Sequence, residues 1–133
     1  MTYYWDMDGV LANFHKAYAT DKLVALKREA MANLEAFLEN VSTLRALIAA
    51  GHTCYILTKA ANADGARGKI EWLAKYVPEM DEAHTIIITK GRKVDYIHEA
   101  GILVDDDEAN CKQWVKGGYE AIHLVIKGEA VRI

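Results

Sequence analysis

The chain has one proline, Pro78, in 133 residues. It therefore carries no proline-rich spacer, and nothing in its composition marks a linker between domains. It has two cysteines, Cys54 and Cys111. They lie far apart and neither sits in a C-x-x-C pattern, which excludes the usual zinc and thioredoxin-like spacings and leaves two reduced, partly buried thiols as the expectation. The five histidines, His15, His52, His84, His98 and His123, are scattered without metal-ligand spacing. No apolar run approaches the roughly 20 residues that span a bilayer. The opening Met-Thr-Tyr-Tyr-Trp-Asp lacks the basic-then-apolar order of a secretory signal. A soluble cytoplasmic protein, not attached to a membrane, is expected. Positive charge is also scarce: 16 Lys and Arg stand against 19 Asp and Glu, a net charge of −3. That balance gives no nucleic-acid signal, because it offers no basic stripe.

What is present suits one globular domain spanning residues 1–133. Hydrophobic residues make up 52% of the chain, enough for a core without disulfides, and 26% is charged, too little for a disordered polyelectrolyte. Strand-like and helix-like segments alternate. Tyr3–Asp6 reads as a first strand ending at a Gly-containing turn. Asp21–Gly51 reads as helical in two parts, with Phe37, Val41, Leu44 and Ile48 on one face of the second, Asn40 or Ser42 as its cap and Gly51 as its end. His52–Thr58 is a strand. Asp64–Val77 is a helix with Ile70, Leu73 and Val77 on one stripe, stopped by Pro78. His84–Thr89 carries Ile86-Ile87-Ile88, the strongest strand signal. Lys93–Glu99 is a short helix, Ile102–Val104 a strand, Glu108–Val115 a helix and Ala121–Ile126 the last strand. Apolar strands alternating with helices imply an α/β fold with a parallel sheet covered on both faces.

In such sheets ligands bind beyond the carboxyl ends of the strands. The residues there form a coherent set. The first strand ends in Asp6-Met7-Asp8-Gly9, the second in Thr58-Lys59, and the fourth in Asp105-Asp106-Asp107, while Lys90, Gly91, Arg92 and Lys93 follow the third. Clustered carboxylates repel unless a cation joins them, and exposed oxygen ligands suit Mg²⁺, which keeps waters and phosphate oxygens in its shell. A phosphoryl group in transfer needs its charge neutralised by cation, lysine and hydroxyl. An aspartate can attack phosphorus, and a second acid can protonate the leaving oxygen. Blander roles exist for each residue taken alone. Asp-Gly pairs favour turns, acids favour helix N-termini, Thr58 could cap a helix, and Lys90, Arg92 and Lys93 could be a solvated loop.

Asp6-Met7-Asp8-Gly9-Val10-Leu11-Ala12 resembles the first motif of the haloacid dehalogenase (HAD) superfamily of phosphatases. Thr58 after Ile56-Leu57 resembles its second motif, Lys93 at a helix start its third, and Asp105-Asp106 after Ile102-Leu103-Val104 its fourth. The stretch Asp6 to Phe14, with Leu103 to Asp106, looks most like the cytosolic 5′(3′)-deoxyribonucleotidase branch. The resemblance implies a three-layer Rossmann-like fold with five parallel strands in the order 3-2-1-4-5. It implies Asp6 as nucleophile and metal ligand. Asp8 would be general acid and base, with its carbonyl on Mg²⁺. Thr58 and Lys93 would bind the phosphoryl group, with Gly9 and Lys59 as further substrate contacts. Asp106 would be the second carboxylate ligand, with Asp105 beside it on the metal or through water. Lys90 competes with Lys93 for the lysine role, and the chain pattern alone leaves open which of Asp105, Asp106 and Asp107 faces the metal.

Nucleotidases of this type usually carry a sizeable helical cap between the first two motifs. Here only about residues 13–33 are free for one, so a mini-cap of one or two short helices is expected. An open site of that kind fits a bulky substrate or a site covered by a neighbouring copy in a homo-oligomer. The expected activity is Mg²⁺-dependent hydrolysis of a small phosphomonoester, a 5′-nucleotide first. The alternatives are a sugar phosphate, a nucleic-acid end or a phosphoprotein as substrate, a phosphate-binding module without turnover, and a plain α/β interaction domain.

Overall fold

The structure, a computed structural model, describes residues 1–125. Its sheet has five strands, β1 (Thr2–Trp5), β2 (Thr53–Lys59), β3 (Thr85–Ile88), β4 (Ile102–Asp105) and β5 (Ala121–His123). All pairings are parallel and the order is β3-β2-β1-β4-β5. The chain leaves β1 towards one edge through β2 and β3, then returns to β1's other side for β4 and β5. That reversal makes the carboxyl end of β1 the topological switch point, where such sheets open a crevice. Ile126, the expected end of the last strand, lies outside the described residues.

Alternation along the strands builds two cores. Trp5, Ile56 and Val104 face one side, and Tyr4, Tyr55, Leu57 and Leu103 face the other. The described residues form five α-helices: α1 (Phe14–Thr20), α2 (Arg28–Ala32), α3 (Leu38–Ala49), α4 (Ala63–Tyr76) and α5 (Glu108–Lys116). Val41 and Leu44 of α3 and Trp72 and Leu73 of α4 fill the first core, and Trp114 of α5 fills the second. Burial on both faces is why the strands read as continuous apolar runs. Cys54 and Cys111 are free thiols within these layers, and burial pushes both up to about 11.

Four local expectations change. Helix α3 starts earlier than its polar residues suggested, at Leu38 behind Phe37, with no side-chain cap; Asn40 instead donates to the Val10 carbonyl at 2.8 Å and ties the helix to the first loop. Gly51 follows the end of α3, as the pattern implied. The buried stripe of α4 is Gly65, Gly68, Lys69, Trp72 and Leu73, and Ile70, expected on it, is 54% exposed. The large Trp72 sets the facing direction, and Ile70 lies well round the helix from it. Helix α1 precedes Asp21 because Asn13 accepts from the Lys16 amide at its start, while Asp21 itself accepts from the Leu23 amide in a turn. The short helix after Arg92 is a single 3-10 turn, Lys93–Tyr96.

The segment between β1 and α3 therefore holds two short α-helices and a 3-10 turn, Val24–Leu26. It is packed tightly onto α4. A Cβ added at Gly68 would lie 2.4 Å from the Arg28 carbonyl oxygen and 2.7 Å from Met31 Cβ. Arg28 also pairs with Glu71 at 2.6 Å. Gly68→Ala should lower stability by about 1–3 kcal/mol through overpacking, because a backbone oxygen cannot swing aside, even though alanine favours a helix by about 1 kcal/mol. Thermal unfolding checks this, and a variant melting at or above the parent temperature would contradict so close a contact.

Candidate active site

Asp6 follows the last residue of β1, and its amide donates to the Val104 carbonyl at 2.9 Å. The chain then folds back on itself. Val10, Leu11 and Ala12 all donate to the Met7 carbonyl, and Gly9 donates to Ala12. Met7, Val10, Leu11 and Ala12 are fully buried and anchor the loop from below. Gly9 has φ +83, a conformation side chains rarely adopt, and a Cβ there would sit 2.1 Å from Asp106 Oδ2. The first loop and the end of β4 thus approach as closely as only glycine permits.

Lys93 reaches into this junction and is almost completely buried. Its Nζ donates to Asp6 Oδ1 at 2.8 Å and to Asp105 Oδ2 at 2.8 Å. Burial draws the ammonium down, but Asp6 and Asp105 more than offset this and hold it above its ordinary value. Burial pushes the Asp6 carboxyl up, to about 6, against the pull of Lys93 and with Asp8 and Asp106 adding to the rise. Lys90 is exposed, and its carbonyl accepts from the Tyr96 hydroxyl. Of the two lysines, Lys93 is the one brought to the carboxylates.

The three acids at the end of β4 separate by role. Asp105 is fully buried, with one oxygen accepting from the Asp107 amide and the other from Lys93 and Asn110. Burial pushes its carboxyl up as well. Asp106 faces the cleft, and His15 Nε2 lies 3.1 Å from its Oδ2. Asp107 lies at the edge of the cleft and caps α5 through the Ala109 and Asn110 amides. Carboxylate oxygens of Asp6, Asp105 and Asp106 all lie within 4.8 Å of one another. With Asp105 already bonded through both oxygens, Asp6 and Asp106 are the freer ligands. The donor set, all oxygen, fits a hard cation.

Lys69 was not among the expected site residues. It projects from α4, is 1% exposed, and donates to Asp8 Oδ2 at 2.8 Å and Thr58 Oγ1 at 2.9 Å. Its signal in the sequence was a lysine sharing a helix face with Gly65, Trp72 and Leu73. Asp6, Asp8, Thr58, Lys59, Lys93 and Asp106 line one cleft of about 260 Å³, with Phe14 and His15 of α1 on its rim. The expected site residues thus meet in one place at the switch point, Gly9 by packing behind Asp106.

A family model described as "5' nucleotidase, deoxy (Pyrimidine), cytosolic type C protein" matches residues 20–125. The chain belongs to this family. It is accordingly a phosphoric monoester hydrolase of the HAD superfamily, and its parallel sheet has the strand order of a small HAD fold. A search of curated proteins finds no match. The match to the type C nucleotidase family includes Thr58, Lys69, Lys93, Asp105 and Asp106, whereas Asp6–Ala12 precedes it. A nucleotide substrate accords with this family. Among the described residues of this nucleotidase, no helix is long and apolar enough to cross a membrane.

Proposed function

We propose that this nucleotidase hydrolyses a 5′-nucleotide through an aspartyl-phosphate on Asp6, in a single domain whose α1–α2 segment forms a fixed mini-cap. The observation that carries the reading is the Lys93 bridge, which holds Asp6 Oδ1 at 2.8 Å and leaves the other oxygen without a partner among the described residues. That free oxygen attacks phosphorus. As the bond to the leaving oxygen breaks, a proton on Asp8 passes to it and the alcohol departs. Asp8, now a carboxylate, takes a proton from water, which attacks the phosphorus and releases phosphate and Asp6. Thr58 and Lys93 donate to the phosphoryl oxygens, with Lys59 and the loop at Gly9 beside them. Asp6, Asp106 and the Asp8 carbonyl would hold Mg²⁺, with Asp105 behind, bracing Lys93. When bound, that ion neutralises charge on the phosphoryl oxygens.

The size of the cleft favours a second substrate class. About 260 Å³ is below the roughly 300–1,000 Å³ of pockets that enclose a whole ligand, so the body of the substrate lies outside. A nucleic-acid 5′ or 3′ end fits that geometry too. Phosphate release should be measured from nucleoside 5′- and 3′-monophosphates, sugar phosphates and phosphorylated oligonucleotide ends, with Mg²⁺ and with EDTA. Release from 5′-nucleotides, abolished by EDTA, is expected. Release from oligonucleotide ends alone would favour the second class, and no release from any of them would defeat the hydrolytic reading.

A further inference from the structure

Lys69 sits too deep for a solvated lysine. An ammonium group in such a place is held by its partners or not at all, and its partners are Asp8 Oδ2 and Thr58 Oγ1. Two details give those bonds a direction. Asp8 Oδ1 is buried and has no hydrogen-bond partner among the described residues. Thr58 Oγ1 accepts from Lys69, so its own proton is free to be donated elsewhere.

We propose that Lys69 is a positioning residue that holds the Asp8 carboxyl through Oδ2 in the orientation its proton transfer requires, while turning the Thr58 hydroxyl outward as a donor. The inference rests on the phosphomonoester reading of this site. Lysine suits the task because it has several donors and no acceptor, so neither bond can reverse. Its helix is locked by the close packing of Gly68 against Arg28 and Met31, which gives the ammonium a firm base.

The consequence depends on the leaving group. An alkoxide, as in a nucleoside 5′-monophosphate, needs its proton from Asp8, whereas 4-nitrophenolate leaves without one. Comparison of kcat/KM isolates this first step. Lys69→Met, which keeps the length and apolar stem, should lose about 100-fold or more with the nucleotide, the scale of a misplaced general acid. With 4-nitrophenyl phosphate it should lose about tenfold or less, since only the Thr58 donor is disturbed. Lys69→Gln, which retains a donor for Asp8, should fall between these and serves if the methionine variant does not fold. In an Asp8→Asn background, Lys69→Met should add little further loss with the nucleotide. Equal losses on both substrates, or full additivity with Asp8→Asn, would overturn the positioning role and leave the hydrolase reading intact. An unsubstituted protein inert on both substrates and on phosphorylated oligonucleotide ends with Mg²⁺ would overturn both.

Discussion

Replacing Asp6 by asparagine should lower phosphate release by at least about a thousandfold while the protein remains folded. The amide is nearly the same size as the carboxylate. Its oxygen can still accept from Lys93, and Asp105 still holds that lysine from the other side at 2.8 Å. The amide has no anionic oxygen to attack phosphorus. It also removes one unit of negative charge from the acidic cluster and weakens any cation there. The result should be an unfolding transition close to the parent's with turnover absent, read by melting and by a phosphate assay on the same sample. Full activity in this variant would remove Asp6 from the chemistry.

Lys93→Met should be damaging in both respects. It leaves Asp6 and Asp105 buried beside each other without their cation. Breaking one partner out of a buried ionic group costs about 3–5 kcal/mol, and for a chain of this size the thermal midpoint should drop by about 10 °C or more. The pH dependence has a definite sign. Burial already holds the folded Asp6 carboxyl at about 6 with Lys93 present, and losing the lysine moves it higher. A carboxyl raised in the folded state binds its proton more readily there, so folding gains below that value and loses as pH rises through it. The deficit of Lys93→Met, measured in EDTA, should therefore be larger at pH 8 than at pH 5.5. An equal deficit at both would mean that Lys93 acts by packing and not by charge. Turnover should be lost with it. Lys90→Ala, by contrast, removes an exposed side chain and should leave stability near the parent value.

Two residues illustrate what linear reading misses. Ile70 was expected in the core on a stripe with Leu73 and Val77, and that stripe left out Lys69. The helix settles the matter by direction, since Lys69 shares a face with Trp72 while Ile70 points well away from it. A buried lysine is tolerable only where carboxylate and hydroxyl partners wait for it, and these come from the loop after β1 and the end of β2, distant in the chain. The same holds for the three acids at the end of β4. They are equivalent as neighbours in sequence, yet one braces Lys93, one faces the cleft and one caps a helix.

The sequence by itself determined the parallel α/β class, because apolar runs buried on both faces leave few other arrangements. It also determined the polar identity of the strand ends and, through Asp6–Ala12, Thr58, Lys93 and Asp105-Asp106, the family resemblance. Only the tertiary structure decided which polar groups bond to which. Hydrogen bonds and ion pairs act over about 3 Å. Residues 6, 58, 69, 93 and 105 come within that reach only when a twisted sheet gathers its strand ends at one switch point.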